Sequence, residues 1–163
     1  LSENFSSGAN IVCCKVNDPE RYGVVKLLGE TIIEIVEKPT EFISDFAVTG
    51  IYVYDNSVIK KSKSLSPSSR GELEITDLNN LYIKDGELSG SFLDSEMIWM
   101  DTGTFDSLHD ASSLVKALQN RSGHLIGSPE LIAYQNNWVQ KDQLLANLNF
   151  KNPYEEWLSS SLD

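Results

Sequence analysis

Trp99-Met100-Asp101-Thr102-Gly103-Thr104 separates an apolar, strand-like run from the most regular amphipathic helix of the chain. A carboxylate held at such a strand-to-helix turn projects from the end of a sheet, where ligands of α/β folds bind. Gly103 lets the backbone turn sharply or approach a ligand closely. Thr102 or Thr104 can cap the helix that follows. Asp101 offers hard, anionic oxygen, the donor that Mg²⁺ beside phosphates requires. Taken alone, the hexapeptide is served better by an ordinary capped turn than by a metal site. The segments on either side change that reading.

Downstream, residues 107–119 carry Leu108, Ala111, Leu114, Val115 and Leu118 on one stripe, the spacing of a helix with an inward face. Pro129 opens another helix after Ser128, residues 141–148 form a short one, and residues 153–162 a last one with Tyr154, Trp157, Leu158 and Leu162 turned inward. Upstream, residues 88–93 and 97–100 read as short strands. Residues 72–83 read as a helix with acids in its first turn, and residues 56–64 as a shorter one. Before these, residues 9–16, 24–28, 31–37 and 46–54 are rich in β-branched and apolar side chains and predict strands. Short turns between them predict antiparallel pairing. The pattern is an α/β fold: a mixed, Rossmann-like sheet with a helical C-terminal third.

Composition narrows the function classes. The chain has 163 residues, 40% hydrophobic and 23% charged, the range of a globular domain. A formal net charge of −11 argues against a nucleic-acid or anionic-membrane surface, which would repel it, but leaves room for a small anionic ligand in a locally basic pocket. No apolar run approaches the roughly 20 residues of a spanning helix. Residues 1–7 have neither the basic flank nor the apolar core of a signal peptide. Cys13 and Cys14 are adjacent and would point to opposite faces of a strand. They suit neither a mutual disulfide nor a zinc site, and a reducing, cytoplasmic location is expected.

Four loops carry polar groups beside strands: Arg21-Tyr22-Gly23, Glu37-Lys38-Pro39, Arg70-Gly71-Glu72 and Trp99-Met100-Asp101. Together they suit a phosphorylated sugar. Glu37 can accept two sugar hydroxyls. Lys38 and Arg70 can pair with a phosphate, Arg70 in bidentate fashion. Gly23 allows backbone contact with a hydroxyl, and Trp99 offers an apolar face to a ring. Each piece has a plainer alternative, such as a solvated Glu37–Lys38 pair at a strand end.

In order and spacing these segments resemble the C-terminal part of the glucose-1-phosphate thymidylyltransferases, from about Gly8 to Trp138. The segments that carry the resemblance are 16–25, 37–39, 47–55, 70–79, 99–104 and 129–133. The resemblance implies in-line attack by the phosphate oxygen of glucose 1-phosphate on the α-phosphorus of dTTP, with pyrophosphate leaving, in dTDP-rhamnose synthesis. It makes Asp101 one of two Mg²⁺ carboxylates. It sets Lys38 and Arg70 at the sugar phosphate, and Glu37, Gly23, Val48, Tyr52 and Trp99 around the glucose with Tyr22 close by. It also implies a tetramer, with residues 1–105 as the sugar-phosphate part of the sheet and residues 106–163 as the assembly region. Glu130 and Leu131 match part of the family's regulatory nucleotide site. The basic residue expected before the Trp-x-Asp turn is replaced by Asp94-Ser95-Glu96, which argues against feedback by dTDP-rhamnose.

The family's G-x-G-T-R-L loop, which cradles the triphosphate, is absent from this sequence, and Gly86 and Gly90 do not replace it. Residues 8–16 read as a buried strand with little before it, as in the middle of a larger domain. The expectation is a portion that keeps the sugar side, lacks most of the nucleotide side and is inactive alone. A uridylyl or cytidylyl transferase is the near alternative, and a non-catalytic sugar-phosphate-binding or assembly module the more distant one.

Overall fold

In strand β2 (Gly23–Leu28), Val24 and Val25 are both fully buried, so the strand is covered on both faces. It turns through Gly29, at φ 61°, into β3 (Thr31–Glu37), and the antiparallel register sets Gly23 opposite Glu37. In the computed structural model, which describes residues 5–68 and 70–162, this hairpin lies at one side of a five-stranded sheet. The other strands are β1 (Ala9–Lys15), β4 (Phe46–Tyr54) and β5 (Leu88–Phe92), in the order β3-β2-β4-β1-β5. Only β1 and β5 run parallel. The expected antiparallel pairing holds for β2 and β3. However, β4 inserts between β1 and β2, whose connection includes a 3₁₀ turn (Pro19–Arg21). The architecture is a mixed α/β sheet with helices.

The chain divides into two units, Leu1–Trp99 and Met100–Asp163. In the first, Ile11, Cys13, Val25, Ile32 and Ile35 form the main core, against which Phe46, Val48 and Tyr52 pack. Burial of each such aliphatic side chain contributes about 1.5–3 kcal/mol. A second cluster joins Ala9 to Leu78 and Tyr82 of α2 (Ile75–Lys84), with Val58 of α1 (Val58–Lys63) beside it. The thiol of Cys13 is pushed up to about 12 by burial first and by Cys14 second, so it is a packing group and not a nucleophile.

Helix α2 begins three residues later than its sequence predicts, because Glu74 is still extended and serves as N-cap. Residues 97–100 are not a strand. The Met97 N–H closes a turn on the Asp94 carbonyl, and Met97 and Ile98 are exposed, so neither a ladder nor burial holds an extended run there. Gly90 lies inside β5, opposite Ile11.

The second unit holds α3 (Phe105–Ser122), α4 (Pro129–Gln135), α5 (Lys141–Leu145) and α6 (Pro153–Ser160). Thr104, and not Thr102, caps α3: its Oγ1 accepts from the Ser107 N–H at 3.1 Å, and Gly123 ends the helix at φ 73°. The predicted inward stripe of α3 is not buried. Leu108 is 49% and Leu118 43% exposed, and no residue of the helix is buried. In α6, Leu158 is buried as expected and Leu162 beyond the helix end is buried too, whereas Tyr154 is exposed. No helix among the described residues is long and apolar enough to cross a membrane.

Candidate functional site

The end of β3 carries the first group. Glu37 faces Gly23 across the hairpin, and a Cβ at Gly23 would lie 3.2 Å from Glu37 Oε2. A side chain there would crowd the carboxylate, so glycine lets Glu37 sit close to the neighbouring strand. Thr76, in the first turn of α2, donates its hydroxyl to the same Oε2 at 2.6 Å. Arg70 approaches from the loop before α2, its Nη1 4.0 Å from Glu37 Oε1. The guanidinium is held by Glu72 at 2.8 Å and Glu74 at 3.6 Å, and Ser68 donates to Glu74 at 2.8 Å. These carboxylates push the Arg70 guanidinium up from its ordinary value, Glu72 foremost. Glu37 and Arg70 are thus neighbours, one suited to hydroxyls and the other to phosphate.

Lys38 continues the ladder, its N–H donating to the Tyr22 carbonyl at 2.9 Å, but its φ is 45°. A residue before proline is pushed toward extended backbone. The left-handed region costs a side-chain-bearing residue about 1–2 kcal/mol. Strain of this kind persists where the surroundings enforce it, and it collects at functional sites. Lys38→Gly should therefore leave the fold as stable as before or raise its stability by up to about 1 kcal/mol, while removing a cation from the site. Denaturant unfolding checks this. A loss above that size would mean that the Lys38 side chain stabilises the fold instead.

An aromatic corner stands beside these groups. Tyr22 and Trp99 meet edge to face with centroids 5.2 Å apart, and the Trp99 indole N–H donates to the Thr49 carbonyl at 3.3 Å. Arg21 lies over the Tyr22 ring at 5.3 Å. Val48, next to Thr49, pairs with Cys13 in the sheet, and Tyr52 packs on the core. The Tyr52 phenol is pushed up by burial first and by the Glu37 carboxylate second, so it stays protonated as a donor. A cavity of about 420 Å³ lies against Trp99, between Lys15, Asn17, Asp94 and Ile98.

Asp101, Glu130 and Leu131 belong to the second unit. Gly103 again makes room for a carboxylate: a Cβ there would lie 3.0 Å from Asp101 Oδ2. Among the described residues no group of three His, Cys, Asp or Glu side chains is arranged to hold a metal. A single carboxylate such as Asp101 could supply only one of the several oxygen ligands that Mg²⁺ takes. Glu130 accepts from the Tyr154 hydroxyl, which also meets the Ser128 hydroxyl at 2.7 Å. This contact holds the Glu130 carboxyl below its usual range. The Leu131 N–H donates to Ser128 at 3.2 Å.

Residues 2–117 match the nucleotidyl transferase family. The chain belongs to that family. It is 44% identical over 154 residues to the glucose-1-phosphate thymidylyltransferase of Neisseria meningitidis, covering 93% of this chain and 54% of that protein. The Mycolicibacterium smegmatis relative of the same name is 41% identical over 164 residues, covering 99% and 57%. The chain spans about half the length of the curated relatives it matches. Among solved structures, a Bacillus anthracis protein described as a glucose-1-phosphate thymidylyltransferase, in complex with sucrose, is 48% identical with a TM-score of 0.62. The match covers 69% of this chain and 45% of that one. A UDP-glucose pyrophosphorylase in complex with UDP-glucose shares the fold at 21% identity and a TM-score of 0.60 over 68% and 44%.

Sequence reading did not single out Thr76, Glu74 or Ser68, because the contact of Thr76 with Glu37 is made 39 positions away and those of Glu74 and Ser68 depend on the fold of the loop.

Proposed function

We propose that the protein carrying this chain is a glucose-1-phosphate thymidylyltransferase, and that this chain supplies its sugar-phosphate side. One observation carries the reading: Glu37, opposite Gly23 and 4.0 Å from Arg70, sets a hydroxyl acceptor beside a phosphate-binding fork. The names and identities of the relatives point to the same substrates. In this reading Glu37, Gly23, Val48, Tyr52 and Trp99 hold the glucose with Tyr22 behind, and Lys38 and Arg70 hold and orient its phosphate. A phosphate oxygen forms a bond to the α-phosphorus of dTTP as the bond to the bridging oxygen breaks, and pyrophosphate leaves with that oxygen. The chain's residues contribute orientation and charge placement, which account for most of the catalysis of such transfers. Asp101 would hold Mg²⁺, which neutralises phosphate charge when bound.

Further parts of the proposal are a cytoplasmic tetramer acting in dTDP-rhamnose synthesis, assembly through residues 106–163, and a regulatory nucleotide contact at Glu130 and Leu131. That contact would have to share or displace the Tyr154 hydroxyl. The test supplies glucose 1-phosphate, Mg²⁺ and each of dTTP, UTP and CTP to the protein carrying this chain, and follows pyrophosphate release and sugar-nucleotide formation. dTDP-glucose is expected with dTTP, and no pyrophosphate release from residues 1–163 alone. Failure of the protein both to bind glucose 1-phosphate and to form a sugar nucleotide would overturn the reading.

A further inference from the structure

Glu37 does not stand at the strand end unaided. Its Oε2 takes the Thr76 hydroxyl at 2.6 Å, and Thr76 is only 5% exposed. Its Oε1 lies 4.0 Å from Arg70, beyond hydrogen-bond distance. One turn along α2, Asn80 grips the edge of the same strand. The Ile35 N–H donates to Asn80 Oδ1 at 2.9 Å, and Asn80 Nδ2 donates to the Ile35 carbonyl at 2.8 Å. The side-chain amide thus stands where a further strand would pair, satisfying both backbone groups of an edge residue. The spacings agree. Four helical residues advance about 6 Å, and two strand residues about 6.7 Å. One such step along α2 is thus close to one along β3, and Thr76 and Asn80 fall beside Glu37 and Ile35. Gly23 completes the fit, since a Cβ there would lie 3.2 Å from both Thr76 Oγ1 and Glu37 Oε2.

We infer that Thr76 is a positioning residue for Glu37, fixing one carboxylate oxygen so that the other faces the sugar, and that Asn80 sets the register of α2 that puts Thr76 in place. The inference rests on the proposed reading of Glu37 as the hexose-binding carboxylate.

Thr76→Val keeps the shape and removes the hydroxyl. It should raise the KM for glucose 1-phosphate about five- to tenfold, the scale of one ordinary net hydrogen bond, since the hydroxyl acts through Glu37 and not on the sugar itself. The KM for dTTP should not change. Thr76→Ser should restore the wild-type value, and in a Glu37→Gln background Thr76→Val should add little, because the two act through one group. Asn80→Ala should raise the same KM by about two- to threefold, and it serves as the reading if Thr76→Val does not fold. Wild type that neither binds nor turns over glucose 1-phosphate would overturn the functional reading and this inference with it. Wild type that turns it over, with the KM unmoved by Thr76→Val or moved equally in the Glu37→Gln background, would overturn the inference alone.

Discussion

Arg70→Ala is expected to weaken glucose 1-phosphate binding by about a hundredfold, the usual scale for truncating one side of a bidentate charged contact. The electrostatics of the loop push the effect to this size. Arg70 lies among Glu37, Glu72 and Glu74, one cation against three carboxylates. Removing Arg70 leaves the three carboxylates without that cation, so the variant would repel a phosphate as well as lose a partner for it. Arg70→Lys keeps the charge but not the planar fork and should cost roughly tenfold. Glu72→Gln acts in the other direction. Glu72 holds the guanidinium at 2.8 Å and competes with a phosphate for it, so its neutralisation should tighten binding about two- to threefold. Calorimetric titration with glucose 1-phosphate at two salt concentrations reads all three, with dTTP affinity as the control. Arg70→Ala binding within threefold of wild type would remove Arg70 from the sugar-phosphate site.

How far the sequence carried depends on the range of the forces involved. β3 and β4 were readable to the residue because β-branched runs bounded by Gly29-Glu30 and Lys38-Pro39 are local signals. Residues 97–100 were misread because a short apolar run looks like a strand whether or not a partner reaches it, and Trp99 instead spends its indole N–H on Thr49, fifty positions away. The stripe of α3 was correct as a pattern and wrong as a statement of burial, since periodicity shows which side is apolar and not what covers it. Glu37, Gly23 and Arg70 were singled out by their chemistry beside strands and by the resemblance, and the structure brings the three close together. Thr76 and Asn80 were not singled out, because their partners lie 39 and 45 positions away and only the fold brings them together. The positive φ of Lys38 had no signal at all: the Pro39 that follows argues for extended backbone.

Gly8→Ala should destabilise the first unit by about 3 kcal/mol or more, lowering the midpoint of thermal unfolding by roughly 10 °C. Gly8 sits where three strand ends meet. Its N–H donates to Asp55 Oδ2 at 2.8 Å, its carbonyl accepts from the Asp55 N–H at 2.9 Å, and the next residue, Ala9, donates to the Glu87 carbonyl at 2.8 Å. Asp55 is itself committed to the junction, accepting from the Ser57 hydroxyl and N–H and from Tyr82. Those contacts, Ser57 first and Gly8 second, hold its carboxyl down at about 2. An alanine Cβ at position 8 would stand 2.3 Å from the Glu87 carbonyl oxygen, which is backbone and cannot swing aside. Relief requires β1 and β5 to separate at the start of their parallel ladder, at Ala9 and Leu88. The φ of 82° adds a penalty of about 1–2 kcal/mol for any L side chain. Gly29→Ala separates the two causes. Gly29 also has positive φ, 61°, but no atom lies within 4 Å of the position a Cβ would take. It should lose only the backbone part, about 1 kcal/mol. Equal losses at the two positions would mean that the β1–β5 junction yields easily and that backbone conformation alone selects glycine at position 8.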